Sequence, residues 1–495
     1  MTVLFLFLLP LIAGLISFFI KDNRMVRIIA MISALGSLVL LVNVLKYFNA
    51  IRPNSSSLVY STQWLGSLGS RFSLELDGLS MILCLLTTIS YIIILIATWK
   101  VEYSRPNNFF GLMLLTQAGL IGVFTATDAL LFYFFWELAL VPVYFLCSGW
   151  GGERRIQVTF KFFIYTFTAS VLMLIALLYL YFQTSDRSFA LESFYNLHLR
   201  SDQQTLVFWL LFAAFAVKMP VFPFHTWQPD TYEQSPPSVT MVLSGLMVKM
   251  GVFGLLRWVL PVVPEAAYSW GDVAMSLGVI GIIYASVIAM QQDDLKRLIA
   301  YSSIAHIGLM AVTIFAENHS GMQGVMIQMF NHGINIIGLW IVAGLIERQF
   351  GTRKLSELGG IAQKAPALTA FLVIIALANI ALPLTNSFIG EFLMFNGIWS
   401  SSVTRYHIVF AVLAALSIIL AAVYTLTMIQ KIFFGPTNTR TDSGHDIRIH
   451  EKFALGMIVL LILVFGIYPQ PLLNLTNGFV DGLLREINVA NVIVK

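Results

Sequence analysis

Six ionisable residues lie inside long apolar runs of the sequence, each in a different run: Glu137, Lys218, Lys249, His306, His332 and Glu391. A charged side chain at the centre of a bilayer costs about 3 kcal/mol on insertion scales, so such residues usually mark ion or proton paths. Carboxylates, amines and imidazoles exchange protons, and a histidine can pass a proton between its two nitrogens near neutral pH. The set therefore predicts a proton relay at mid-membrane.

Lys218 is followed closely by Pro220 and Pro223. Proline lacks an amide donor and clashes with the carbonyl four residues earlier, so we expect a helix break that frees the carbonyls of Ala216 and Met219. Transporters build ion sites from broken helices of this kind. A proline-kinked helix whose lysine reaches the membrane surface is the alternative interpretation.

Four polar residues occupy one helix face in the eleventh apolar run, at i, i+3, i+4 and i+7: Gln328, Asn331, His332 and Asn335. This face either belongs to the relay or supplies hydrogen bonds between helices. His306 alone fits a hydrogen-bonded core histidine, and Glu137 with Lys218 fits a static buried ion pair. In a working relay, Lys218 holds its proton beside Glu137 and releases it more readily when the two separate.

The composition indicates the class of protein: of 495 residues, 58% are hydrophobic and 11% are charged. Globular domains carry about 25% charged residues, so we expect a polytopic membrane protein. Helical spans need about 20 apolar residues. The sequence predicts an all-α fold with about 14 spans: Thr2–Ile20, Met25–Leu45, Gly78–Trp99, Phe109–Phe124, Ala129–Ser148, Phe162–Phe182, Leu206–Phe224, Ser238–Leu260, Val273–Met290, Leu295–Ala316, Met322–Ile346, Leu368–Trp399, Ile408–Ile432 and Phe453–Leu473.

The order of polar residues repeats along the chain. Glu137 precedes Lys218 by nearly the same distance as His306 precedes Glu391, and the seventh and twelfth spans both contain proline and are expected to be broken. These spans are five apart, and an odd offset means opposite orientation, as in an inverted repeat. We predict helices 1–3 in residues 1–108, inverted five-helix repeats in residues 109–260 (helices 4–8) and 261–434 (helices 9–13), and a loop, helix 14 and tail in residues 435–495.

The loops after odd-numbered spans carry about twice as many Lys and Arg residues as the loops on the other side. The positive-inside rule places that side in the cytoplasm and both termini outside.

The sequence does not indicate a cofactor site in this chain. Cys84 and Cys147 cannot supply the four thiolates of an iron–sulfur cluster. The G-x-G-x-x-G nucleotide signature is missing, and no basic surface typical of nucleic-acid binding is seen. His445 and His450 lie in a polar loop with no nearby thiol, so a metal site is not favoured there.

The sequence resembles the antiporter-like membrane subunits of respiratory complex I (NADH:quinone oxidoreductase) and the related Mrp-type cation/proton antiporters. The M-type branch, chain 4 of the mitochondrial complex, is the most similar, because it has a glutamate at the position of Glu391, where other branches typically have lysine. Residues Leu384–Ser387 depart from the family, whose members are richer in glycine there, and this leaves the shape of the second break open. The matching stretches are Phe135–Leu138, Lys218–Trp227, Lys249–Gly251, Tyr301–Gly308, Asn331–Gly333 and Gly390–Phe392.

The resemblance implies a proton pump in a bacterial inner membrane, in contact with the lipid bilayer and assembled with L-type and N-type antiporter-like subunits. It implies that NADH, flavin, iron–sulfur clusters and quinone belong to partner subunits. The resemblance implies that Glu137 and Lys218 form a coupling ion pair and that Lys249 is a central relay. It also implies that His306 and His332 are the link and that Glu391 is the exit group. An Mrp-type cation/proton antiporter subunit or a membrane-hydrogenase pump subunit is the alternative, and a scaffold whose polar residues only join helices is a third possibility.

Overall fold

The computed structural model describes residues 1–48 and 58–494. Helices make up most of this part of the chain. The longer ones are α1 (Thr2–Ser17), α2 (Asn23–Tyr47), α3 (Gly78–Ala97), α4 (Pro106–Thr125), α5 (Ala129–Trp150), α6 (Arg155–Gln183), α7 (Ser201–Lys218), α8 (Trp227–Gln234), α9 (Pro237–Val259), α10 (Pro264–Gln291), α11 (Leu295–Ile314), α12 (His319–Phe350), α13 (Pro366–Asn379), α14 (Asn386–Trp399), α15 (His407–Phe433), α16 (Ile449–Ile467) and α17 (Gln470–Val494).

Eleven helices of the described residues are long and apolar enough to cross a membrane: α2–α6, α9–α12, α15 and α16. Helices α1 and α13 are apolar but shorter. Each predicted span coincides with a helix or with an interrupted pair of helices, which confirms the predicted class, a mostly helical polytopic membrane protein. The count of fourteen and the boundaries of the two repeats remain predictions. Helix α17, in the predicted tail, was missed.

A two-stranded antiparallel hairpin is an addition to the predicted all-α fold. Its strands are β1 (Val59–Leu65) and β2 (Ser70–Glu75). Both lie in the stretch Lys46–Asp77, which we expected to be a polar loop. Residues 49–57 of that stretch lie outside the described part of the chain. Gly69 closes the turn with φ of 66°, a conformation that favours glycine. The strands were not predicted because β1 is largely exposed and shows no clear apolar alternation.

One end of the molecule is held together by buried charge. Glu233 in α8 pairs with Arg353 at 2.7 Å, Arg297 at 2.9 Å and Arg154 at 3.0 Å. Burial alone raises the pKa of the Glu233 carboxyl, but these three guanidinium groups lower it below its ordinary value. We call this the positively charged end.

The hairpin lies at the other end of the molecule, which we call the opposite end. The Phe72 ring of β2 is 6.2 Å from the ring of Phe7, near the start of α1. Helix α17 packs here too, since Arg257 lies both over the Phe479 ring and against Asp77, which caps the start of α3.

Two spans are interrupted, as the sequence predicts. Helix α7 ends at Lys218, α8 begins at Trp227, α13 ends at Asn379 and α14 begins at Asn386.

The carbonyl of Ala216 is not free, contrary to the prediction. The helical turn at the break contains one extra residue, so the amide of Val221 donates to the oxygen of Ala216, five residues earlier, at 2.9 Å. The indole of Trp227 donates to the oxygen of Val217 at 3.0 Å. The break therefore satisfies these two carbonyls within the protein.

Candidate proton-transfer site

Lys249 lies at the centre of helix α9 and is fully buried. Two π-helical turns, Leu243–Met247 and Leu255–Val259, flank the segment that carries it. The first turn exposes a backbone carbonyl, and Lys249 Nζ donates to the oxygen of Ser244 at 2.9 Å. Such turns often occur at functional sites, because they redirect side chains and release backbone groups. The ammonium therefore has one fixed acceptor on its own helix and two donors left for others.

The ammonium of Lys249 reaches helix α12 through His332, with 2.8 Å between Lys249 Nζ and His332 Nδ1. Glycines allow the two helices to approach this closely: a Cβ on Gly333 would come within 3.0 Å of the oxygen of Gly245. When Lys249 is protonated its ammonium only donates, so in that state His332 Nδ1 accepts and the proton of the neutral ring sits on Nε2. Sequence spacing alone did not show that Lys249 and His332 touch.

His306 and Glu391 continue the series. The rings of His332 and His306 are 5.7 Å apart between centroids, and His306 Nδ1 lies 3.2 Å from Glu391 Oε1. Gln328 donates to the same carboxylate oxygen at 3.3 Å. Within the described residues, Nε2 of each histidine has no hydrogen-bond partner. Each Nε2 is therefore available to exchange a proton, directly or through water. The structure thus brings Lys249, His332, His306 and Glu391 together in one buried chain.

The polar face of the eleventh span has two uses. Asn331 donates to the oxygen of Asn386 at 2.8 Å, and Asn335 donates to Asn386 Oδ1 at 3.1 Å and to Ser387 Oγ at 2.9 Å. These bonds hold the start of α14, directly after the second break. Asn331 and Asn335 therefore supply hydrogen bonds between helices, which was one of the two interpretations of this face. His332 instead faces the ionisable series.

Lys218 lies apart from this series, as the last residue of α7, and is 2% exposed. Its Nζ lies 5.5 Å from the centroid of the Trp136 ring, a cation–π arrangement. In the described part of the chain, Nζ has no hydrogen-bond partner and no ion pair, and Glu137 Oε1 also has no partner. The predicted ion pair of Glu137 with Lys218 is therefore not in contact.

The first break packs directly against the helix that carries Lys249. A Cβ on Gly251 would come within 2.6 Å of the oxygen of Phe215 and 2.9 Å of the amide of Met219, which flank Lys218. Only glycine fits such close contact with a backbone. A change in the break therefore reaches α9 within one turn of Lys249.

Three neutral residues near the series were missed by sequence reasoning. Asn379 donates from Nδ2 to Ser302 Oγ at 3.3 Å, and Tyr424 OH lies 3.0 Å from the same hydroxyl. Asn379 could have been noticed, because it is a polar residue in an apolar run, four residues before Pro383 of the second break. Ser302 lies in the matching stretch Tyr301–Gly308, one turn from His306, but was given no role. Tyr424 gave no signal, since single hydroxyl groups are common in membrane helices.

Comparisons with known proteins agree with the resemblance. The family profile described as "NADH:quinone oxidoreductase/Mrp antiporter, TM" matches residues 126–418. NADH-quinone oxidoreductase subunit M of Rickettsia typhi is 36% identical over 467 residues, covering 94% of this chain and 93% of the relative.

Solved structures show the same fold. A chain of respiratory complex I from Thermus thermophilus with bound NADH matches with a TM-score of 0.90 at 29% identity, covering 98% of this chain and 100% of that chain. A chain of the Mrp complex from Dietzia sp. matches with a TM-score of 0.87, covering 98% of each chain, but its 18% identity shows the fold alone. This chain belongs to the NADH:quinone oxidoreductase/Mrp antiporter family and, within it, to the M subunits of NADH-quinone oxidoreductase.

Proposed function

We propose that this chain is the proton-translocating M subunit in the membrane arm of a bacterial NADH:quinone oxidoreductase. The observation that carries the proposal is the buried series of Lys249, His332, His306 and Glu391, in which neighbouring groups lie within hydrogen-bond or ring contact. Static ion pairs need no such length, and ionisable groups buried in a membrane protein are costly and usually mark ion or proton paths.

The series can carry a proton by ordinary acid–base steps. Lys249 gives a proton to His332 Nδ1, and the ring then loses the proton on Nε2 towards His306. His306 passes a proton from Nδ1 to the Glu391 carboxylate, from which it leaves. Lys218 and Glu137, on the far side of the close contact at Gly251, set the charge that Lys249 experiences. When Lys218 is charged, it disfavours a second cation on α9 and so promotes proton release.

The driving reaction belongs to other subunits in this proposal. NADH, flavin, iron–sulfur clusters and quinone are handled there, while L-type and N-type antiporter-like subunits adjoin this chain in the membrane. The 36% identity to an NADH-quinone oxidoreductase subunit M and the 29% identity to a chain of respiratory complex I support a place in the NADH-linked enzyme. The positively charged end faces the cytoplasm and the opposite end, with the start of α1, faces outward.

The test is NADH-driven proton uptake by inverted membrane vesicles from cells that carry Glu391→Gln. Glutamine keeps the size and hydrogen bonding of the side chain but cannot take up a proton, so proton uptake is expected to be lost with the subunit still assembled. The matched control is Glu265→Gln, at the start of α10 and outside the series. Glu391→Gln vesicles that pump as well as the parent, with normal subunit content, would remove Glu391 from the path.

A further inference from the structure

The two breaks have the same backbone hydrogen bonds. In each, three amides donate in the same order to carbonyls four, five and three residues earlier. The bonds are Met219 to Phe215, Val221 to Ala216 and Phe224 to Val221 in the first break, and Ile380 to Ala376, Leu382 to Leu377 and Thr385 to Leu382 in the second. Superposing the two patterns places Asn379 on Lys218, and each is the last residue of its helix. Sequence reasoning had instead compared Lys218 with Glu391, which lies in the helix after the break.

The second break therefore carries a neutral amide where the first carries a cation. Asn379 is 3% exposed and donates to Ser302 Oγ, which Tyr424 OH also contacts; Ser302 and Tyr424 are 1% and 2% exposed. None of the three ionises near neutral pH. An amide NH₂ donates but does not take up a proton, so the hydrogen-bonded chain ends at Asn379. We call these three residues the neutral trio.

The neutral trio lies between Glu391 and the positively charged end. Ser302 lies one helical turn from His306, towards the start of α11 at Leu295. That start is at the positively charged end, because the amide of Leu295 donates to the oxygen of Arg353. Tyr424 contacts the Ser302 hydroxyl and lies on α15, which runs from there to Phe433.

We propose that Asn379, Ser302 and Tyr424 form a closed gate that separates Glu391 from the positively charged end. Protons that reach Glu391 then leave only towards the opposite end, which gives the relay its direction. This inference rests on the proposed function, because it assumes that Glu391 carries protons. Its physical basis is that the trio is buried, that its amide and hydroxyl groups contact one another, and that none of them takes up a proton near neutral pH.

The test measures passive proton leak through the purified complex in liposomes, without NADH. A potassium gradient with valinomycin sets the membrane potential, and a pH-sensitive dye reports proton entry. Tyr424→Phe removes only the hydroxyl that contacts Ser302 Oγ. We therefore expect protons to enter the liposomes several-fold faster than with the parent complex. Ser302→Ala should give the same result by removing the central partner. The double variant Tyr424→Phe with Glu391→Gln should return the leak to the parent value, because the path then lacks its carrier.

Tyr91→Phe is the matched control, since this buried tyrosine donates to the backbone oxygen of Met113 at 2.8 Å, away from the relay. Assembly of each variant is checked by blot and by NADH oxidation. A leak equal to the parent in both Tyr424→Phe and Ser302→Ala overturns the gate, as does a leak that persists with Glu391→Gln. Lost pumping without a leak overturns it too, since Tyr424 would then be a conducting link. Failure of the proposed function itself shows separately, as full NADH-driven pumping by Glu391→Gln.

Discussion

Lys249 Nζ lies 2.8 Å from His332 Nδ1, a contact between α9 and α12 through which a protonated Lys249 sets the tautomer of the imidazole. The ring is thereby set to receive a proton on one nitrogen and lose one from the other. His332→Gln keeps an acceptor for the ammonium but cannot carry a proton. We expect NADH-driven proton uptake to fall about 10²-fold or more, the usual contribution of a proton-transfer group. His319→Gln, the same change at the exposed start of α12, should have no effect, and normal uptake by His332→Gln would exclude a transfer role.

Glu137 and Lys218 make no contact ion pair, and this has a consequence for stability. Breaking a buried contact pair costs about 3–5 kcal/mol. Glu137→Gln should instead change the free energy of unfolding by less than about 1 kcal/mol, because no contact with Lys218 is lost, while proton uptake falls. Thermal unfolding of the purified complex and proton uptake by vesicles measure the two effects. A large loss of stability would show that the residues do pair in the membrane.

The cluster around Glu233 predicts a pH-dependent stability. Its pKa is lowered in the folded protein by Arg297, Arg353 and Arg154, despite burial, so the ionised carboxylate stabilises the fold. That contribution is present above the ordinary pKa of about 4.3 and is lost as pH falls through the lowered value. Glu233→Gln should lower the free energy of unfolding by about 1.5–3 kcal/mol at pH 7. This difference between parent and variant should shrink below about pH 4. Equal melting of variant and parent at pH 7 would contradict this, and exposed Glu192→Gln is the control.

The orientation can be tested by labelling. Lys354→Cys, at the positively charged end, should react with an impermeant maleimide in inverted vesicles and not in intact cells. Thr62→Cys, on the exposed strand β1, should behave in the opposite way. Cys84 and Cys147 are buried and should not contribute to labelling. Labelling of Lys354→Cys from outside would reverse the proposed topology.

The sequence was sufficient to predict the membrane class and both broken spans, because a charge or a proline inside an apolar run is visible without coordinates. It also singled out the six ionisable residues, whose role in proton transfer stays a prediction. Contacts between helices were not predictable in the same way. Asn331 and His332 are adjacent in sequence, yet one holds the second break and the other touches Lys249. That division depends on the close approach at Gly333, which pairs two particular helices.

Hydroxyl groups show the same limit. Thr313 donates to the oxygen of Leu309 in its own helix, as membrane threonines commonly do, whereas Ser302 bridges Asn379 and Tyr424 on two other helices. From sequence the two are equivalent polar residues of α11. The hairpin and α17 were missed for a related reason, since half-exposed elements at the ends of a membrane protein lack the long apolar runs that reveal spans.

The central claim is that buried ionisable groups release and take up protons during turnover, and Lys249→Arg tests it most directly. Arginine keeps the charge and the donors but cannot release a proton, because its pKa exceeds about 12. The measurement is the number of protons taken up per NADH oxidised by inverted vesicles, with subunit content checked by blot and with Lys431→Arg, at the exposed end of α15, as the control. The account predicts the parent's ratio for Lys431→Arg and a lower ratio for Lys249→Arg, reduced by the protons that this subunit moves. The parent's ratio in Lys249→Arg vesicles with normal subunit content would contradict it.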